Sequence, residues 1–185
     1  AYNGTRQTTS NRAINSIEDM KGLKLRVPNA AANLNFAKYT GAAPTPMAFS
    51  EVYLALQTNS VDGQENPMMN IYSQKISEVQ KYGTMTGHVY SWVVLVVGKN
   101  FYDSLTPEQQ TIMQESADIA IAYMAESVAK DDETAREEMA KTGLVFVEPS
   151  EEFKTKIKEI VAPILEKEGD KINKDMYKKL KEATK

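Results

Sequence analysis

Leu23–Met47, LKLRVPNAAANLNFAKYTGAAPTPM, holds the alternation that decides the fold. Leu23, Leu25 and Val27 alternate with Lys24 and Arg26, so a strand here carries its apolar residues on one face and two cations on the other. Pro28 and Asn29 stop that strand. Leu34, Ala37 and Tyr39 then keep a helical spacing that Gly41 ends. Pro44 and Pro46 hold the following stretch extended.

Outward from this unit the pattern repeats. Residues 49–60, FSEVYLALQTNS, read as a helix with Val52, Leu54, Ala55 and Leu56 as its apolar content. Residues 61–67, VDGQENP, read as a turn-rich segment, and 68–79, MMNIYSQKISEV, as another helix. A short polar helical turn, SIEDMKG, precedes the first strand. Strands alternating with helices through short connections predict an α/β sheet with helices packed on it.

The second half differs. KYGTMTGHVYSWVVLVVGKN predicts two extended segments joined at Gly87–His88, and Val93–Gly98 has the length and composition of a buried strand. Thr106-Pro107-Glu108-Gln109 opens a helix, with Thr106 as N-cap, Pro107 at the first helical position and Gln109 completing a capping box. Neither proline nor glycine follows until Gly143, which predicts one helix of about 35 residues, roughly 50 Å long. Ile112, Ile119 and Tyr123 form its apolar stripe, whereas AKDDETAREEMAK is mostly charged. That division predicts a helix half embedded and half exposed, bridging two bodies. LVFVEP is a final strand, and C-terminal helices with solvated lysine faces are predicted to break near Pro163 and Gly169.

The chain has 185 residues, of which 42% are hydrophobic and 25% charged, with a net charge of −3. These values suit a soluble globular protein and supply no basic face for nucleic acid. No apolar run is long enough to span a bilayer. Cysteine is absent, which excludes thiol catalysis, disulfides and cysteine metal sites. AYNGTRQTTSNRAINS contains no apolar signal-peptide core.

Catalytic patterns are sparse. The single histidine, His88, excludes a His-rich metal site. GxSxG, Gly-rich phosphate-loop and HExxH motifs are all missing. His88 reads more simply as structural than catalytic, and Asp131, Asp132 and Glu133 as part of a solvated charge face. Arg6, Arg12 and Arg26 cluster near the N-terminus. A guanidinium matches a carboxylate in bidentate geometry and keeps its charge, and ligands in α/β sheets bind at carboxyl ends of strands. Arg26 and Asn66 are placed where such a site is built. From residues alone two readings stand for Arg26, a solvated surface arginine and an anion site, and the first is simpler.

The ordered series RVP…GAAPTPMAFSEVY.ALQ…VDGQENP…EVQKY, together with SLTPEQQ and the long helix after it, resembles the extracytoplasmic solute-binding proteins of TRAP transporters. NGTRQTTSNRAI and PTPMAFSEVYLALQTN are similar to the sialic-acid-binding branch. The resemblance implies part of a two-lobed periplasmic-binding-protein-like clamshell, with mixed sheets flanked by helices and a long helix bridging the lobes. Residues 1–90 are expected to form the anion-binding lobe. Residues 91–130 belong to a second, incomplete lobe with the start of the long helix, and 131–185 return to the first. The N-terminal part of the family pattern is expected to lie outside this chain, so Trp92, Val94, Leu95 and Val97 are expected to lack sheet neighbours.

By the same resemblance, Arg26 pairs with the ligand carboxylate, joined by Arg6 and Asn66. Phe49 packs against the sugar, Asn29 makes a polar contact, and Glu65 and His88 stand behind these groups. The implied protein is a periplasmic, non-enzymatic receptor without cofactor or metal, monomeric at full length. It captures N-acetylneuraminate (sialic acid) and delivers it to a TRAP membrane permease. A C4-dicarboxylate or other organic acid is the alternative ligand, and an enzyme acting on acidic sugars the alternative class.

Overall fold

The computed structural model describes residues 1–183. Six strands form one mixed sheet: β1 (Tyr2–Ser10), β2 (Lys24–Val27), β3 (Ala43–Pro46), β4 (Gly63–Pro67), β5 (Tyr82–Trp92) and β6 (Val145–Val147). Their spatial order is β3-β2-β4-β1-β5-β6. β2 runs parallel to β3 and β4, β1 is antiparallel to β4 and β5, and β6 is parallel to β5. The helices are α1 (Ala31–Tyr39), α2 (Val52–Gln57), α3 (Met68–Ser73), α4 (Lys99–Asp103), α5 (Pro107–Lys141) and α6 (Glu151–Ala183).

Two apolar cores are built. Leu23, Leu25 and Val27 on one side of β2 pack with Phe36 and Ala37 of α1 and with Phe153 and Ile157 of α6. Val52, Leu56, Met68, Ile71, Ala135 and Met139 join α2, α3 and α5 in the other. The alternation read in the sequence therefore sends Leu25 and Val27 into one core and turns Arg26 away from it.

Several expectations are corrected. Within residues 61–67 only 61–62 bend: Gly63–Pro67 is β4, a strand buried along its whole length, whose polar side chains are paired rather than solvated. Tyr2–Ser10, to which no element was assigned from its polar sequence, is β1, and it occupies an inner position in the sheet. Residues 68–79 are the short α3 followed by a 3-10 turn at Ile76–Glu78, because Lys75 adopts a left-handed conformation between them.

β5 is one strand, interrupted by a bulge. The register passes from Thr8↔Thr84 to Arg6↔Val89, so two steps on β1 face five on β5. Gly87, at a φ of 56°, makes that detour possible, and its N–H donates to Gln7 Oε1 at 2.9 Å.

The long helix spans 35 residues and is capped as expected: Gln109 N–H donates to Thr106 Oγ1 at 3.3 Å, and Thr106 N–H to Gln109 Oε1 at 2.9 Å. Its embedding is reversed. Val128, Ala135 and Met139 of the charged half are buried, while Ile112, Ile119 and Tyr123 are exposed. Three small or apolar residues suffice for the narrow contact stripe, and the charges lie around it. Trp92 and Val93–Val97 are also exposed, with Val96 at 86%. α6 continues through Pro163 and Gly169 and breaks instead at Asn173, whose φ and ψ are −164° and 101°. Beyond it the chain folds back: Tyr177 packs on Gly169, where a Cβ would stand 2.5 Å from the ring.

Candidate functional site

The carboxyl ends of β2 and β4 lie beside the amino end of β1, since Arg26 registers with Gln64 and Arg6 with Pro67. Two polar networks meet at this sheet edge. On one face, the β5 bulge swings His88 over β1, a common use of bulges. The His88 ring stacks on Phe36 with centroids 3.7 Å apart, and its Nε2 lies 3.1 Å from Glu65 Oε2. Glu65 also accepts from Asn33 Nδ2 at 3.0 Å, from Arg6 Nη2 at 2.9 Å and from Arg6 Nε. Four hydrogen bonds thus converge on one buried carboxylate, three on Oε2 and one on Oε1.

The protonation pattern follows. Burial works against ionisation of Glu65, yet the hydrogen bonds from His88 and Arg6 prevail and hold its pKa below the usual carboxylate value. An ionised Glu65 only accepts, so His88 donates through Nε2. Burial lowers the pKa of His88 against the pull of Glu65, which keeps the ring neutral and leaves Nδ1 as acceptor for the Thr86 hydroxyl at 2.8 Å. Thr86 Oγ1 in turn accepts from Thr8 Oγ1 at 3.1 Å. This chain of bonds fixes the imidazole and, through Glu65, the guanidinium of Arg6.

On the other face, Gln64 Nε2 donates to Thr9 Oγ1 at 3.0 Å, and Asn66 Nδ2 donates to Gln64 Oε1 at 2.6 Å. Asn66 Oδ1 accepts from Arg6 Nη2 at 3.1 Å. Asn66 therefore joins the two networks with a defined amide orientation and keeps a second N–H. Arg6 commits Nε and Nη2, and its Nη1 bonds no other described residue.

Arg26 is 3% exposed, which overturns the surface reading that its sequence context favoured. Its Nη2 donates to the Met47 carbonyl at 2.7 Å, and its guanidinium lies 5.6 Å from the centre of the Phe49 ring. Nε is buried and has no hydrogen-bond partner among the described residues. Burial lowers the pKa of this arginine, opposed by Glu65 and reinforced by Arg6. A buried cation without a paired carboxylate is costly, and what completes this one chemically is an anion. Phe49 is half-buried at the start of the turn before α2, and Asn29 is exposed between β2 and α1.

Asn33, Gln64, Thr8 and Thr86 escaped the sequence reading. Asn33 lies on the buried side of α1 beside Phe36, a polar residue at an apolar helix position, which was its one visible sign. Among the described residues no group of three or more His, Cys, Asp or Glu is arranged to hold a metal ion. No helix among them is long and apolar enough to cross a membrane.

Such an edge, with one buried and one partly buried guanidinium group beside carboxyl ends of parallel strands, defines an α/β protein with a cationic end. Residues 1–171 match the family described as bacterial extracellular solute-binding protein, family 7 (DctP). The chain belongs to this family of TRAP solute-binding proteins. It is 57% identical over 115 residues to the sialic acid-binding periplasmic protein SiaP of Vibrio cholerae, covering 62% of this chain and 36% of that protein. It is 33% identical over 184 residues to the C4-dicarboxylate-binding periplasmic protein DctP of Rhodobacter capsulatus, covering 98% of this chain and 55% of the other. A TRAP periplasmic solute-binding protein from Haemophilus influenzae, solved with bound L-gulonate, superposes with a TM-score of 0.92 at 32% identity, over 99% of this chain and 62% of that one. The chain spans about half the length of the curated relatives it matches.

Proposed function

We propose that this chain is the anion-binding part of a periplasmic, non-enzymatic receptor that captures N-acetylneuraminate and presents it to a TRAP membrane permease. The observation that carries the reading is Arg26, a buried guanidinium whose Nε lacks a partner among the described residues. A ligand carboxylate takes Nε and the free side of the fork. Arg6 Nη1 and the second Asn66 N–H supply further donors, Phe49 gives an apolar surface for the sugar, and Asn29 a polar contact at the rim.

Residues 1–90 with 131–185 form the anion-binding lobe in this reading. Residues 91–130 lead into a second lobe, whose remaining sheet covers the exposed Trp92–Val97 strip. Closure of the two lobes buries the ligand, and contacts made only in the closed state drive it.

The identity to the Vibrio cholerae sialic acid-binding protein favours N-acetylneuraminate. The Rhodobacter capsulatus relative supports a C4-dicarboxylate as second reading. Calorimetric titration of the chain and of Arg26→Lys with N-acetylneuraminate tests the proposal. The wild type binds, and Arg26→Lys loses affinity by about thirtyfold or more, because lysine restores charge without the fork. Equal affinity in the two removes Arg26 from its role. Ligand recovered unaltered separates receptor from enzyme.

A further inference from the structure

We propose that Glu65 is an internal counter-charge that sets the anion site to accept one negative charge, and so selects monocarboxylates over dicarboxylates. The proposal rests on the carboxylate-capture reading of Arg26 and names the residue that limits the charge of what is captured.

Three charged groups make up the cluster. Arg6 and Arg26 are cationic, Glu65 is anionic and His88 is neutral, which leaves one net positive charge. The charges acting on Arg26, Glu65 and His88 are one another's and those of Arg6, so the balance is set within the cluster. Glu65 cannot leave it: its side chain is fully buried and receives four hydrogen bonds. Nor is it presented to a ligand, because its side chain has no exposed surface.

Arg6 is therefore a half-neutralised donor, holding Glu65 with Nε and Nη2 and offering Nη1. Arg26 keeps an unpaired Nε. One ligand carboxylate placed between them cancels the remaining charge. A second carboxylate on the same ligand would meet no further cation in the cluster and would be repelled by an ionised Glu65 behind Arg6. In a buried, weakly screened site, a like charge of this kind discriminates strongly.

The test compares L-gulonate, a monocarboxylate, with succinate, a dicarboxylate, by calorimetry on the full chain and its variants at fixed ionic strength. The wild type binds L-gulonate at least tenfold more tightly than succinate. Glu65→Gln raises the cluster to two positive charges and shrinks that ratio about tenfold or more. Glu65→Asp, which keeps the charge, retains the preference. His88→Gln, which disturbs the hydrogen bonding without changing net charge, weakens both ligands together and leaves their ratio in place.

An unchanged ratio in Glu65→Gln, or the same collapse in His88→Gln, overturns the counter-charge role. If Glu65→Gln does not fold, the wild type still decides, since equal or tighter binding of succinate overturns the proposal. Binding of neither anion, nor of N-acetylneuraminate, by the wild type instead defeats the carboxylate-capture reading on which the proposal stands.

Discussion

His88 and Glu65 lie on strands that flank β1, yet His88 Nε2 stands 3.1 Å from Glu65 Oε2 with both side chains fully buried. The β5 bulge brings the imidazole over the intervening strand, and the contact ties the sheet to a protonation state.

Acid lability follows with a definite sign. Both folded pKa values are lowered, so the folded state holds fewer protons and each group's contribution is lost on acidification. For His88 the stability is complete above its ordinary value of 6.5 and declines as pH falls below it toward the depressed folded value. For Glu65 it is complete above 4.5 and lost as pH falls through the folded value. Urea unfolding from pH 8 to pH 3 is expected to show both phases. His88→Gln abolishes the upper phase and keeps the lower one; an upper phase that survives assigns it elsewhere.

Asp132 contributes in the opposite direction. Burial raises its pKa to about 6, against a hydrogen bond from the Met69 N–H and with Asp131 adding to the rise. Folding favours its protonated form, so stability is lost as pH rises toward and through 6. Asp132→Asn keeps an acceptor for Met69 and removes the charge. It is expected to stabilise the protein by about 1–2 kcal/mol at pH 8, after allowance for solvent screening of a half-buried group. The gain shrinks toward zero near pH 4. A gain independent of pH contradicts this origin.

Much of the sheet was legible in residues 23–47, where apolar alternation, proline stops and glycine stops agree with one another. β1 and β4 were not, because their inner positions are filled by Thr8, Thr9, Gln64, Glu65 and Asn66, polar side chains buried by pairing across strands. A periodicity of apolar residues cannot register a strand whose partners lie 38 or more positions away. The same blindness hid the burial of Arg26: its neighbours in sequence resemble a surface strand, and the residues that cover it, Met47 and Phe49, come from the far end of β3. Asp132 shows the converse, a charged residue in a charged run that tertiary packing half buries.

Gly63 permits the approach of β4 to β1. A Cβ there would stand 2.3 Å from the Thr9 carbonyl oxygen and 3.3 Å from Ser10 atoms. Backbone on an inner strand cannot yield as a flexible side chain can. Gly63→Ala is expected to cost at least about 1–3 kcal/mol, read as a lower urea midpoint, and to disturb the Gln64–Asn66 pairing. An unchanged midpoint indicates that the two strands separate at little cost.

The most direct test of carboxylate capture is the Arg26 Nε–H resonance in a ¹⁵N-labelled chain, assigned by its loss in Arg26→Lys and followed during titration with N-acetylneuraminate. Capture predicts that the signal moves downfield in proton shift and exchanges more slowly with water as Nε gains a carboxylate partner. A resonance that stays unmoved at concentrations saturating the calorimetric binding contradicts it.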